Sequence, residues 1–122
     1  VLIDDTTRTV SFKEIETRGG YTYRTGITSL KGESEPFTGT VIKYWEDGSK
    51  QKEIPVVGGK LHGIEISCRE DGSKFCEAPY VNGKQHGTEI RYREDGSKSS
   101  ETFWKNGSIN VAKTLSNQSG SR

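Results

Sequence analysis

Glu46-Asp47-Gly48-Ser49-Lys50 returns as Glu70-Asp71-Gly72-Ser73-Lys74 and again as Glu94-Asp95-Gly96-Ser97-Lys98, at a period of 24 residues. A fixed period of this length is the mark of a repeat architecture. Working outward from the pentapeptide gives three units, 39–62, 63–86 and 87–110, and the first two agree at 13 of their 24 positions. Glycine accepts the positive φ of a tight turn, so Asp71-Gly72 reads as the turn of a β-hairpin. Ile64-Glu65-Ile66-Ser67-Cys68-Arg69 runs into that turn with apolar and polar residues in alternation, the period of a strand. A second strand spans roughly Phe75 to Val81, and Asn82-Gly83 supplies the return turn. The expected fold is all-β: an antiparallel meander of repeated hairpins with no crossover helices.

Aligned columns predict two unlike faces. Ile42, Ile66 and Ile90, with Tyr44, Cys68 and Tyr92, share a parity with Ile54, Ala78 and Thr102 and with Val56, Tyr80 and Trp104. Lys43, Ser67 and Arg91 and the column Glu53, Glu77 and Glu101 have the other parity. On this reading one face is apolar and aromatic and the other is charged. A single sheet with one packed face also accounts for the composition, 29% apolar residues with 15 Gly among 122. Aromatic side chains bury much area each, so few residues close such a core.

Residues 1–38 lack the repeat and read as an N-terminal segment and cap. Ser11-Phe12-Lys13-Glu14 fits a capping box, which predicts a short helix ended by Gly19-Gly20, with Phe12 and Ile15 packed on the sheet end. Tyr21-Thr22-Tyr23-Arg24 reads as a strand. Residues 111–122 are expected to form a disordered tail, because Ser116 to Arg122 are small and polar. The chain contains no Met. Val1 is therefore read as lying downstream of a removed segment, and a secretory or lipoprotein leader would fit.

The repeat resembles the MORN-repeat variant. Pro36-Phe37-Thr38-Gly39-Thr40-Val41, then Tyr44, Asp47-Gly48 and Tyr80-Val81-Asn82-Gly83-Lys84-Gln85-His86-Gly87, are similar to the bacterial YwqK-type family, the antitoxin component of a toxin–antitoxin module. The resemblance covers about residues 10–110. It implies a scaffold of stacked hairpins and a protein partner, such as a toxin. The chain departs from the pattern at Gly58, at Cys68 and at Ser108-Ile109-Asn110, where the array is expected to end.

Net charge is +1, with 18 Lys+Arg against 17 Asp+Glu, so nucleic acid is not an expected partner. No apolar run reaches a membrane span. No cofactor or metal is expected: His62 and His86 read as turn-lining residues bound to backbone, and no Cys/His/Asp cluster has metal spacing. The Asp47, Asp71 and Asp95 series is turn chemistry. The Glu53, Glu77 and Glu101 column reads as a solvated face with cross-strand ion pairs, with Lys43 and Arg91 near it. No catalytic constellation is found, so an enzyme is not expected.

Cys68 and Cys76 depart from their columns together, in one hairpin, and are assigned to one face. That favours a disulfide and an oxidising compartment if the register sets them opposite, while two buried reduced thiols are the alternative. Trp45 replaces the Arg of Arg69 and Arg93, and with Phe75 and Phe103 it has the polar-face parity. These aromatics are the expected contacts for a protein partner, unless the N-terminal cap covers Trp45, with Arg69 and Arg93 tuning specificity. The preferred reading is thus a non-enzymatic protein-binding module, antitoxin- or immunity-like, acting by occlusion with an extended sheet face. The alternative is an envelope-associated or secreted structural repeat protein. A periplasmic, envelope-anchored or secreted location is favoured over the cytoplasm.

Overall fold

Each Asp of the recurring pentapeptide folds the chain back on itself. Asp47, Asp71 and Asp95 accept from the backbone N–H two residues on, at 2.9 Å in all three turns, and from the same serine's hydroxyl. Gly48, Gly72 and Gly96 follow at φ near +91°. The computed structural model describes residues 8–20, 22–24 and 26–115. Its strands are β1 (Thr9–Ser11), β2 (Ile15–Arg18), β3 (Ile27–Leu30), β4 (Gly39–Tyr44), β5 (Lys50–Val57), β6 (Lys60–Leu61), β7 (Gly63–Cys68), β8 (Lys74–Val81), β9 (Lys84–Gln85), β10 (Gly87–Tyr92), β11 (Lys98–Lys105) and β12 (Ser108–Thr114). The protein is an all-β meander of successive hairpins. The large sheet runs β1-β4-β5-β7-β8-β10-β11-β12, with β6 on β5 and β9 on β8. Every pairing in it is antiparallel except β1 with β4, and β2 and β3 form a separate hairpin.

Register overturns the expected faces. Ile42 stands opposite Glu53, Ile66 opposite Glu77 and Ile90 opposite Glu101, while Val41 stands opposite Ile54 and Glu65 opposite Ala78. Residues directly opposed in an antiparallel pair share a face. The isoleucine column therefore lies with the glutamates, and Ile54 and Val56 lie with Val41, so both faces mix apolar and charged residues. One residue is extra in each hairpin: the register shifts after Lys43, Ser67 and Arg91 and leaves Gln51, Phe75 and Ser99 without an opposite number. Such bulges turn the strand ends and re-aim the side chains there.

The N-terminal segment covers one face. Ile15 and Phe37, with Val10, Phe12, Tyr23 and Leu30, pack on Val41, Ile54, Val56, Leu61, Cys76, Ala78 and Tyr80. Val41, Ile54, Val56 and Leu61 are fully shielded, and each contributes about 1.5–3 kcal/mol by leaving water. The expected helix is one 3-10 turn, Phe12–Glu14, with its capping box formed: Ser11 accepts from Lys13 and Glu14 accepts from the Ser11 N–H. It does not run to Gly19-Gly20, because β-branched Ile15 and Thr17 enter β2 instead. The strand expected at Tyr21 to Arg24 is also corrected. Thr22, Tyr23 and Arg24 form the turn between β2 and β3, and Tyr21 is outside the described residues.

The C-terminal boundary moves as well. Residues 111–114, expected in a disordered tail, belong to β12 and pair with β11 from Val111 to Thr114. In the two preceding units the equivalent position is a glycine, Gly63 at φ 123° or Gly87 at φ 116°, which breaks the strand. Val111 is not among the residues with positive φ, and β12 continues past it, with Asn110 as an extra residue in a bulge between Ile109 and Val111. Ser116 to Arg122 lie outside the described residues.

Candidate functional site

The structure gives the Trp45, Arg69 and Arg93 column an internal task. The Trp45 indole donates to the Cys68 carbonyl at 3.2 Å. The Arg69 guanidinium donates to the Tyr92 carbonyl at 2.6 Å, and that of Arg93 donates to the carbonyl of Leu115. Each hairpin turn is thereby tied to the corresponding end of the next hairpin. Both arginines also bind their own turns, through the Ser73 and Ser97 hydroxyls and the Lys74 and Lys98 carbonyls.

The three aromatics do not form one patch. Trp45 and Phe75 line one shallow depression with Cys68, Arg69 and Glu70. Phe75 is the extra residue of its bulge, with the Arg69 and Arg91 guanidinium carbons 5.3 and 5.7 Å from its ring centre. Phe103 stands opposite Thr88 and Val111, on the uncapped face with Ile90 and Glu101. It remains exposed.

The expected disulfide is not formed; Cys68 and Cys76 are both free. Ser67, not Cys68, stands opposite Cys76, and Cys68 stands opposite Lys74. The two thiols therefore point to opposite faces, which disulfide geometry does not permit. The glutamate column takes its cations from its own strands: Lys50, Lys74 and Lys98 pair with Glu53, Glu77 and Glu101. Lys43 and Arg91 lie on the other face. His62 and His86 line the return turns as expected, accepting the Asn82 and Asn106 N–H groups at Nδ1 at 3.3 and 3.2 Å. Both asparagines have positive φ, so the imidazoles steady strained positions.

Sequence reasoning missed the main concentration of buried charge. Glu65 and Glu89 occupy the column of Val41, on the capped face, and both are buried. Glu65 accepts from the Tyr23 hydroxyl at 2.5 Å and from Arg24, and Lys52 lies 3.9 Å away. Glu89 accepts from Trp104 at 2.8 Å, Gln85 at 3.2 Å and Cys76 at 3.4 Å, and Arg91 pairs with it at 3.2 Å. Between the two carboxylates opens a pocket of about 240 Å³, lined also by Ser67, Phe75, Ala78 and Tyr80. The signal was present in the alignment: a valine column that turns to glutamate twice. It went unread because that column was not recognised as facing the core.

Burial and hydrogen bonding compete at the groups of this network. Burial opposes ionisation of Glu89, but hydrogen bonds from Trp104, Gln85 and Cys76, with Arg91, outweigh it and hold the carboxyl below its ordinary range. Burial, then the charge and hydrogen bond of Glu89, push the Cys76 thiol up to about 11, so it stays protonated near neutrality and is a poor nucleophile. Burial lowers the Lys52 pKa, with Glu65 partly compensating. Burial likewise raises Tyr80, with Glu65 adding to it. Both carboxylates are engaged by donors on each oxygen or beside it, an arrangement that ties the cap and neighbouring strands together.

Among the described residues, no group of three or more His, Cys, Asp or Glu is placed to hold a metal ion. Among the same residues, no helix is long and apolar enough to cross a membrane. Compared with known proteins, the chain matches no family model, no curated protein and no solved structure.

Proposed function

We propose that the chain is a non-enzymatic protein-binding repeat module, antitoxin- or immunity-like in mode, that occludes a partner with the uncapped face of its large sheet. One observation carries this reading. From the second hairpin onward no described segment packs on that face, yet it presents exposed Ile64, Phe103 and Val111 beside the Lys–Glu ladder. Exposed apolar residues rimmed by ordered charges are the composition of a recognition surface. Phe103 replaces Trp45 as the leading contact, since the Trp45 indole N–H is committed to Cys68. Phe75, held between two guanidinium groups, is a second contact on the opposite side of the sheet.

Affinity capture from source-cell lysate and envelope fractions tests the reading, using the chain and its Ile64→Ser/Phe103→Ser double variant. Both substitutions are at exposed positions, so the variant should keep the far-ultraviolet circular dichroism of the parent. The expected result is one stoichiometric partner, lost with the double variant and retained by Trp45→Arg. A partner that binds the double variant equally well, or no stoichiometric partner at all, counts against the proposal.

A further inference from the structure

The two edges of the large sheet are unlike. One is β1, three residues long and followed at once by the 3-10 turn. The other is β12, seven residues long and exposed at every position. β7 and β10, the equivalent strands in the preceding units, are paired on both sides, β7 between β5 and β8 and β10 between β8 and β11. Among the described residues, β12 has a neighbour on one side only. The Leu115 N–H donates to the Ser99 carbonyl. Hydrogen-bonding direction alternates along an antiparallel strand, so the N–H and C=O groups of Ala112 and Thr114 point away from β11, into the open edge. Long unprotected edges recruit strands, and proteins usually guard them with charges, prolines or shortness. Within β12 the only charged residue is Lys113, and there is no proline.

We propose that β12 is a self-complementary edge through which two copies of the chain join about a two-fold axis. Antiparallel pairing centred on Ala112 uses the regular stretch of β12 beyond the Asn110 bulge and places Ala112 against Ala112 of the second copy and Val111 against Lys113. The outward N–H and C=O groups of Ala112 then meet their counterparts, as the ladder requires. No like charges are opposed, and each exposed Val111 lies along the aliphatic stem of a lysine. Lys113 keeps Glu101 as its in-chain neighbour across the strand pair. A net charge of +1 puts little repulsion between copies. The contact closes, because a two-fold axis uses up the one long edge of each chain.

Sedimentation equilibrium of the intact chain, from about 1 μM to about 1 mM, spans the affinities of weak specific contacts. The expected result is a reversible rise in average mass toward twice that of one chain. Ala112→Pro removes an outward donor that the monomer does not use. Val111→Lys sets a lysine against Lys113 of the second copy. Each should weaken association by about tenfold or more while leaving the monomer's circular dichroism unchanged. Val57→Lys, on an exposed residue of β5, should leave association unaltered. A monomer at every concentration overturns the proposal. So does a dimer indifferent to both β12 variants, or open-ended growth beyond the dimer.

Discussion

The Tyr23 hydroxyl donates to the buried Glu65 carboxylate at 2.5 Å, joining the turn between β2 and β3 to the second hairpin across 42 residues of chain. Hydrogen bonds to a charged group contribute about 1.5–3 kcal/mol, and a carboxylate left buried without its donor adds a desolvation cost. Tyr23→Phe should therefore lower unfolding free energy by about 2 kcal/mol. Urea denaturation measures this; an unchanged midpoint would show that the cap is held by apolar contact alone.

The Trp45, Arg69 and Arg93 column makes a prediction about substitution within the repeat. Trp45→Arg keeps a donor where the other hairpins have one and should be near neutral. Trp45→Phe keeps the ring but loses the N–H, and should cost about 1 kcal/mol. Arg69→Ala should cost more than Trp45→Phe, since Arg69 also binds Ser73 and Lys74. Equal effects of the two Trp45 changes would remove the donor from the explanation.

Thiol reactivity separates the two cysteines. Both should titrate as free thiols under denaturing conditions. In the native chain, half-buried Cys68 should react with a thiol reagent at neutral pH well before Cys76, whose pKa is raised by burial and then by Glu89. Oxidation of the native chain should not yield an intramolecular bond, because the side chains leave opposite faces. Equal rates for both thiols would contradict this assignment.

Acid should weaken the fold through identifiable carboxyls. Glu77 lies below its ordinary range because Lys74 and Tyr92 hydrogen-bond to it, and Asp71 does so through Ser73. Glu89 is lowered despite its burial. A folded value below the unfolded one means stability that is fully present above the unfolded carboxyl range, about pH 4, and lost as pH falls through the folded values. Stability measured from pH 7 downward should be flat and then fall, and Glu89→Gln should flatten part of that fall. A Glu89→Gln profile parallel to the parent's would exclude Glu89 as a contributor.

Two glycines of similar backbone should respond differently to a methyl group. Gly72 has φ 92° and open space around the added Cβ, so Gly72→Ala costs only backbone strain, about 1 kcal/mol. At Gly59, φ 83°, the same Cβ would meet Ile27 Cγ2 at 2.6 Å and Pro36 Cβ at 3.0 Å. Overpacking adds about 1–3 kcal/mol there. Comparable midpoints for the two variants would mean that β3 yields readily.

Much of the fold was legible because turn chemistry is local. Asp-Gly at a fixed period marked the three repeat hairpins and Asn-Gly two of their return turns, and Ser11 with Glu14 marked the capping box. The facing of the side chains was not legible. Parity along one strand carries over to the next only if the turn and any bulge are counted, and the extra residue at Gln51, Phe75 and Ser99 has no composition of its own. One uncounted residue moved Ile42 to the side of Glu53 and hid Glu65 and Glu89 from view. The cap was misread for a different reason. A capping box starts a helix but does not lengthen one, and β-branched Ile15 and Thr17 turned the chain into a strand after a single turn.

The ties from Trp45 to Cys68, Arg69 to Tyr92 and Arg93 to Leu115 all link nearest neighbours, and the described part of the cap packs on the first two hairpins, away from the β12 end. Stability in such an array is close to a sum over adjacent units. Unzipping should then begin at β12 and travel toward Val41, with amide exchange slowing in the same order. The protein would behave less like one cooperative block than like a ratchet that loosens from a single end.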